Sequence, residues 1–222
     1  KLTTVEPSSS TSFLSRLKHR FKPDSVIGFD LGLEKFNMVQ ISYQNGQPFI
    51  HAATSDYHDI NLDDLMENLE TVKSLVKKSY KNRKFTARKV VSSVPSHFLR
   101  ILFLSYQLGK NENDVEALLA ALKKRVNVDL NDYVIDYLPI RPDAIERNER
   151  MALVAMAKQD IVEQYLDFLG DCGFEVVAME IGTVAIRRLI NTLTISKEPQ
   201  KVMTINFGKN ISYLTVIWNN EL

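Results

Sequence analysis

Two stretches near opposite ends of the chain carry residue types that can handle phosphate and metal. The first reads Ile27-Gly28-Phe29-Asp30-Leu31-Gly32 and runs on to Asn37-Met38-Val39-Gln40-Ile41. The second reads Met203-Thr204-Ile205-Asn206-Phe207-Gly208 and runs on to Ser212-Tyr213-Leu214-Thr215-Val216. Each is an apolar strand, a polar residue, one spacer, a glycine, a short turn and a second strand. A glycine at such a bend can take positive φ and lets backbone N–H groups approach an anion closely. Two bends facing each other would enclose a polyphosphate, and a carboxylate at the strand end, Asp30 in the first, would hold Mg²⁺ through water. Asp-x-Gly alone is common in plain turns, because Asp and Gly are frequent turn residues. The signal is the pair, placed at the two ends of an α/β chain.

The elements that must position these bends sit in a chain of 222 residues with 28 Lys plus Arg, 27 Asp plus Glu and 45% hydrophobic residues. That length buries a real core as one large or two small domains, and the composition excludes collagen, a disordered tail and a disulfide scaffold. The single Cys172 forms no internal bridge, and His19, His51, His58 and His97 make no metal-ligand spacing with it, which fits a reducing compartment. No apolar run approaches the roughly 18 to 20 residues that span a bilayer, and the first 25 residues lack the apolar centre of a secretory signal. The chain therefore reads as soluble. A net charge of +1 offers no large basic face, so nucleic acid is not an expected partner.

Residues 1 to 12 are rich in Ser and Thr and read as disordered. Phe13, Leu14, Leu17 and Phe21 then recur at helical spacing beside Arg16, Lys18, His19, Arg20 and Lys22, the pattern of a short basic amphipathic helix. Such a leader can lie on an anionic membrane surface or pack loosely in solvent. From Val26 the pattern becomes strands, with Asn45-Gly46 between two apolar runs as a hairpin signal. Leucines and valines from Leu62 to Val76 step by three and four, predicting a helix over 61–80. The basic run from Lys81 to Lys89 reads as a solvated turn. KVVSSVP and RILFLSYQL read as strands broken by Pro95; Asn113 or Asn111 caps the helix that follows. YVIDYLPI and MALVAMA are strands, 159–171 a helix closed by Gly173, FEVVAMEI a strand and Thr183 to Leu193 a helix. The histidines, Met38, Met151 and Met156 and the Leu-rich helices read as structure rather than ligands.

The order of these pieces resembles the family of PilM, the actin-like cytoplasmic protein of type IV pilus assembly, with its relatives MshI and GspL of type II secretion. Val94-Pro95-Ser96 stands where that family has V-P-S after the first helix, and Asp136-Tyr137 ends the strand after the next helix. The run from Ala155 to Val162, Gly173, the stretch Glu175 to Ala178 with Glu180, and Ala185 with Arg188 match in order and spacing. The likeness covers nearly the whole chain after residue 25.

The resemblance implies an α/β fold of the actin-like (ribonuclease H-like) type, with an inserted small α+β subdomain in its first half. Residues 26–84 with 150–198 would form the core subdomain, 85–149 the insert, and 201–222 the start of a second half, largely missing from this chain. ATP with Mg²⁺ is the implied cofactor, with Asp30, Gly32, Lys35, Asn206, Gly208 and Lys209 as the implied contacts and Asp30 as metal residue. The bends depart from the family pattern, however. Leu33 and Glu34 replace small hydroxyl residues, Asn206 stands where an acid is usual, and a carboxylate beside a triphosphate is repelled by a few kcal/mol at about 4 Å. Weak nucleotide binding or none, and no efficient hydrolysis, is the expectation. The implied role is then a cytoplasmic scaffold, peripheral to the inner membrane, among other pilus or secretion assembly proteins, that holds the tail of a PilN-like membrane protein by strand addition. Phe98, Leu99, Ile101 and Phe103 can wall such a groove, although ordinary core is the preferred reading of all four. The rival class is an active actin-like ATPase; a sugar or acetate kinase would need substrate-binding acids and an intact second half.

Overall fold

Ile27, Phe29 and Leu31 alternate with Gly28 and Asp30, and on strand β1 (Val26–Leu31) the first three are buried while Asp30 is exposed. A computed structural model describes residues 25–61, 64–109, 112–140, 149–193, 201–207 and 212–218. The leader therefore lies outside the described residues. Strands β2 (Lys35–Gln44) and β3 (Gln47–Tyr57) follow antiparallel. Their turn has Asn45 at φ 52 and Gly46 at φ 78, the two positive angles that a two-residue type I′ hairpin requires.

Helix α1 (Leu69–Asn82) begins later than the periodicity of 61–80 predicts. Asp64 N–H bonds the Asn61 carbonyl and the Asn68 amide bonds the Asp64 carbonyl, so short polar side chains and a tight turn compete with the helix there. Strands β4 (Lys89–Ser93) and β8 (Glu175–Glu180) complete a five-stranded sheet of order β3-β2-β1-β4-β8, in which β1, β4 and β8 are parallel. Helices α1 and α3 (Gln159–Asp171) share one core with this sheet, through Val72, Val76, Tyr165, Phe168 and Leu169 against Ile27, Phe29, Phe36 and Val90.

Between β4 and α3 the chain builds a second sheet from β5 (Arg100–Gln107), β6 (Tyr133–Ile140) and β7 (Glu149–Lys158), with β7 central and every pair antiparallel. Helix α2 (Asp114–Arg125) is capped by Asn113, whose side chain accepts the Glu116 N–H at 2.8 Å, and packs on one face of this sheet through Leu118 and Leu122. Sheet pairing differs from the expected division at both ends of the insert. Residues 89–93 pair with β1 in the first sheet, and 149–158 form the centre of the second. Strand-forming segments carry no mark of the sheet they join, and only pairing distinguishes them.

Helix α4 (Gly182–Leu193) starts with Ile181 and Val184 packed against Leu99, Leu138 and Ala155, joining the end of the first sheet to the second. Strands β9 (Lys201–Phe207) and β10 (Ser212–Trp218) pair antiparallel as the sequence predicts. Thr215 and Ile217 of this hairpin are buried, and Met203, Ile205, Phe207, Leu214 and Val216 are exposed.

Gln40 is fully buried, and all four of its amide hydrogen-bonding positions are used. Its Nε2 donates to Ser25 Oγ (2.7 Å) and Thr86 Oγ1 (2.8 Å), and its Oε1 accepts the N–H groups of Thr86 (2.8 Å) and Ala87 (3.3 Å). Replacing Gln40 by Leu strands the Thr86 and Ala87 donors, each orphan costing about 1–3 kcal/mol. Gln40→Leu is expected to lower the urea midpoint with an unchanged m-value.

Candidate functional site at the carboxyl ends of the parallel strands

Parallel strands present their carboxyl ends at one edge of a sheet, where open α/β sheets bind ligands. Asp30, Ser93 and Glu180 lie at those ends of β1, β4 and β8. Asp30 Oδ1 accepts the Ser93 hydroxyl at 3.1 Å and Oδ2 accepts the Asn37 amide at 3.2 Å. Asn37 Oδ1 in turn accepts the Ser55 hydroxyl at 2.8 Å. Strand register places Ser55 opposite Asn37, Asn37 opposite Asp30 and Ser93 opposite Glu180, so one polar row crosses all five strands. Arg188 from α4 closes it with an ion pair to Glu180. The sequence marks Asp30 as a site residue, whereas Asn37, Glu180 and Arg188 enter it only as hairpin and motif residues; the β1–β2 register is what brings Asn37 beside Asp30.

The bend after Asp30 is held from inside. Gly32 N–H donates to the Lys35 carbonyl at 2.9 Å. Gly32 is not at positive φ, a conformation taken among the described glycines by Gly46 and Gly173, which corrects the expectation for this bend. Space is tight here instead: a Cβ would lie 3.1 Å from the Lys35 carbonyl oxygen, so a side chain would have to open the bend by a few tenths of an ångström. Buried His58 reaches under the bend. Its backbone N–H donates to the Glu34 carbonyl at 3.0 Å, and its Nε2 lies 3.0 Å from the Gly32 carbonyl. Ile60 N–H donates to Nδ1, so the ring is the neutral tautomer with its proton on Nε2, donated to Gly32. Glu34 Oε1 is buried without a hydrogen-bond partner. Lys35 is exposed at the start of β2, with Nζ 6.0 Å from the centre of the Tyr57 ring, at the limit of a cation–π contact. Asn206 lies on β9 opposite Tyr213, whereas Gly208 and Lys209, and with them the approach of the two bends, lie outside the described residues. Among the described residues no group of three or more His, Cys, Asp or Glu side chains is arranged to hold a metal ion. Cys172 is half-buried, and burial pushes its thiol up to about 12, far from a reactive thiolate.

A second candidate surface lies on the insert. Among the described residues β5 is an edge strand, and one side of its backbone has no strand partner there. Ile101 is 40% exposed and Phe103 61%, which corrects the core reading of these two residues. Phe98 and Leu99 are half-buried, each packed against a different core cluster. The difference follows from which face is covered: α2 seals the face of Leu102, Leu104 and Tyr106, and Ile101 and Phe103 point the other way. Asp136 lies on that same face, opposite Ala155, which is opposite Ile101. Burial raises its carboxyl above the usual 3.8, offset in part by the Tyr137 N–H on its Oδ1 at 2.9 Å. On the covered side Asp114 accepts the hydroxyls of Tyr106 (2.8 Å) and Tyr137 (3.2 Å), and burial pushes Tyr137 up to about 12.

The sequence model of the type IV pilus assembly protein PilM matches residues 28–222. The chain belongs to the PilM family. Among solved structures it is similar to a chain of the PilM-PilN type IV pilus biogenesis complex, with 16% identity and a TM-score of 0.72 over 90% of this chain. It spans 60% of that PilM-complex chain. A second similar structure is the cytoplasmic domain of EpsL, an inner membrane component of the type II secretion system of Vibrio cholerae, with 14% identity and a TM-score of 0.49 over 86% of this chain and 71% of that one. No curated protein matches the chain in sequence. The fold is thus the actin-like fold of PilM proteins, as the resemblance implies, and no described helix is long and apolar enough to cross a membrane.

The Asp136 shift has a sign that can be tested. Its folded-state value is raised, so the folded protein holds the proton more tightly than the unfolded chain, and this contribution to stability is complete below 3.8 and lost as pH rises through the raised value. Asp136→Asn is expected to raise the denaturation midpoint at neutral pH, with the gain over wild type disappearing in titrations carried below 3.8.

Proposed function

We propose that this PilM-family chain is a cytoplasmic scaffold of the inner-membrane assembly platform of a type IV pilus, of the MSHA type, and that it docks the cytoplasmic tail of a PilN-like membrane protein. In this reading the five-stranded sheet with α1, α3 and α4 is the first core subdomain, the three-stranded sheet with α2 is the insert, and β9 opens the second half. The observation that carries the docking is the exposed edge of β5, where an open backbone ladder adjoins Ile101 and Phe103 and the half-buried Phe98 and Leu99. A tail laid along β5 would take main-chain hydrogen bonds from the edge and seat alternate apolar side chains against Ile101 and Phe103.

Nucleotide binding is weak or lost in this proposal. The Gly32 N–H that would face a phosphate is engaged by the Lys35 carbonyl, and both Asp30 oxygens are engaged by neutral donors. Glu34 adds an unpaired carboxylate oxygen at the bend, and Lys35 lies over Tyr57. Those groups fit a polyphosphate with Mg²⁺ poorly. The competing reading, an actin-like ATPase, rests on Asp30 standing at the carboxyl end of β1 next to Gly32. Titration with ATP and Mg²⁺ separates the two: saturable micromolar binding that Asp30→Ala abolishes would favour the ATPase.

Docking is tested by measuring the affinity of a peptide carrying the cytoplasmic tail of the PilN-like partner. Phe103→Asp is expected to weaken it about tenfold or more, the scale of a central apolar anchor. Phe207→Asp, a change at a still more exposed position on the β9–β10 hairpin, is expected to leave it unaltered. Equal effects of the two substitutions would remove β5 from the docking surface.

A further inference from the structure

Six of the twelve residues from Lys77 to Arg88 are cationic and none is acidic. Lys77, Lys78, Lys81, Arg83, Lys84 and Arg88 are all exposed, at the carboxyl end of α1 and along the loop that leads to β4. Val72 and Val76 set the buried side of α1, and Lys77, Lys78 and Lys81 fall on the side turned away from it. None of the six side chains has an ion pair or hydrogen bond among the described residues. The acids nearby are already engaged. Asp171 is bound by Lys73, and Glu175 stands opposite Lys89 in the sheet. Asp56 accepts the hydroxyls of Ser79 and Thr54, each at 2.6 Å, and these lower its carboxyl more than Arg83 and Lys78 do. The helix dipole favours cations at a carboxyl end, but its field fades within the last turn and does not reach Lys77 or Arg88. A net charge of +1 conceals the patch, because Asp64, Glu67 and Glu70 at the other end of α1 offset it.

These charges are displayed on a fixed frame. Lys84 N–H donates to the Lys81 carbonyl at 3.3 Å and Phe85 N–H to the Tyr80 carbonyl at 3.1 Å, the two bonds that close a helix through one left-handed residue. That residue is Lys84, at φ 59, in a position that glycine ordinarily takes. Phe85 is buried and stacks on Tyr80 with ring centroids 5.9 Å apart, and the Tyr80 hydroxyl donates to the Ala87 carbonyl at 3.0 Å. Thr86 N–H is tied to Gln40 at 2.8 Å. Phe85 and Ala87 therefore turn inward, and Lys84, Thr86 and Arg88 turn out. For closing the helix a lysine in that bend does nothing that glycine would not do with less strain. What it adds is charge.

We propose that the carboxyl end of α1 and the loop to β4 form a patch that lies on an anionic phospholipid surface, with these six cations toward the headgroups. The proposal rests on the reading of this chain as part of an inner-membrane platform and adds the face by which it meets the lipid. Four of the six are lysines, point charges on flexible stems that suit a fluid layer of headgroups better than one fixed phosphate. Clusters of about four to eight such residues bind acidic lipid, each strengthening attachment about fivefold close to the surface. Nucleic acid fits less well, because the aromatic rings of the patch, Tyr80 and Phe85, are packed into the core and offer no platform for a base.

The test is co-sedimentation of the full chain with vesicles of phosphatidylcholine and phosphatidylglycerol in equal parts, against vesicles of phosphatidylcholine alone. The wild type is expected to bind the first and not the second, with an affinity that falls steeply as salt is raised. Lys77→Gln, Lys78→Gln and Lys81→Gln combined are expected to weaken binding about thirtyfold or more and to flatten the salt dependence. Lys84→Gly is expected to weaken it about fivefold while raising the thermal midpoint, a combination that loss of structure cannot produce. Lys123→Gln with Lys124→Gln, on α2, is expected to leave binding unchanged. The triple variant is expected to keep the wild-type affinity for the PilN-like tail peptide, so failure of the lipid contact and failure of docking at β5 register in separate measurements. No binding by the wild type, undiminished binding by the triple variant, an equal loss from the α2 pair, or tighter binding to duplex DNA than to the phosphatidylglycerol vesicles would overturn the proposal.

Discussion

The ring of Phe29 is surrounded by those of Phe36, Phe168 and Phe174, with centroids 6.1, 6.2 and 6.1 Å away. Its carbonyl accepts the buried Ser92 hydroxyl at 3.0 Å, and Ser92 Oγ lies 2.8 Å from the Tyr165 hydroxyl on α3. This clasp fixes which way β1 faces. Side chains alternate across a strand, so burying Phe29 against α3 directs Gly28 and Asp30 to the opposite face. A one-residue slip would exchange the two sets and bury the carboxylate.

The remaining architecture follows from that one-sided burial. With α1 and α3 on one face of the first sheet, its other face presents a polar row at the carboxyl ends and an apolar row at the chain's point of entry. The insert repeats the arrangement on a smaller scale: α2 covers one face of three strands, and Ile101, Phe103 and Asp136 are on the other. Helix α4 bridges the two sheets through Ile181 and Val184. Among the described residues these faces stay open, and the acid-bearing bend is closed chiefly on its own backbone.

Much of this was legible in the amino-acid order. The alternation of Ile27, Phe29 and Leu31 specified β1, Asn45-Gly46 specified the hairpin, Asn111 and Asn113 narrowed the start of α2 to two positions, of which Asn113 is the cap, and Gly173, at φ 90, specified the close of α3. These are local effects, set by residues within a few positions of one another. The order of motifs from Val94 to Arg188 was specific enough to carry the family and its actin-like fold.

What the sequence left open depended on residues far apart along it. No local pattern assigns Lys89–Ser93 to one sheet and Glu149–Lys158 to another, because both are apolar strands and only hydrogen-bond partners tell them apart. Nor does it reveal that Ile101 and Phe103 face outward, since a strand's two faces are equivalent until a helix such as α2 covers one. The links from Asp30 to Ser93, from Gly32 to His58 and from Gln40 to Thr86 span 63, 26 and 46 positions. Short-range chemistry chose the elements, and long-range packing decided which of their faces stayed open, because burial is a property of what the whole chain brings against a residue.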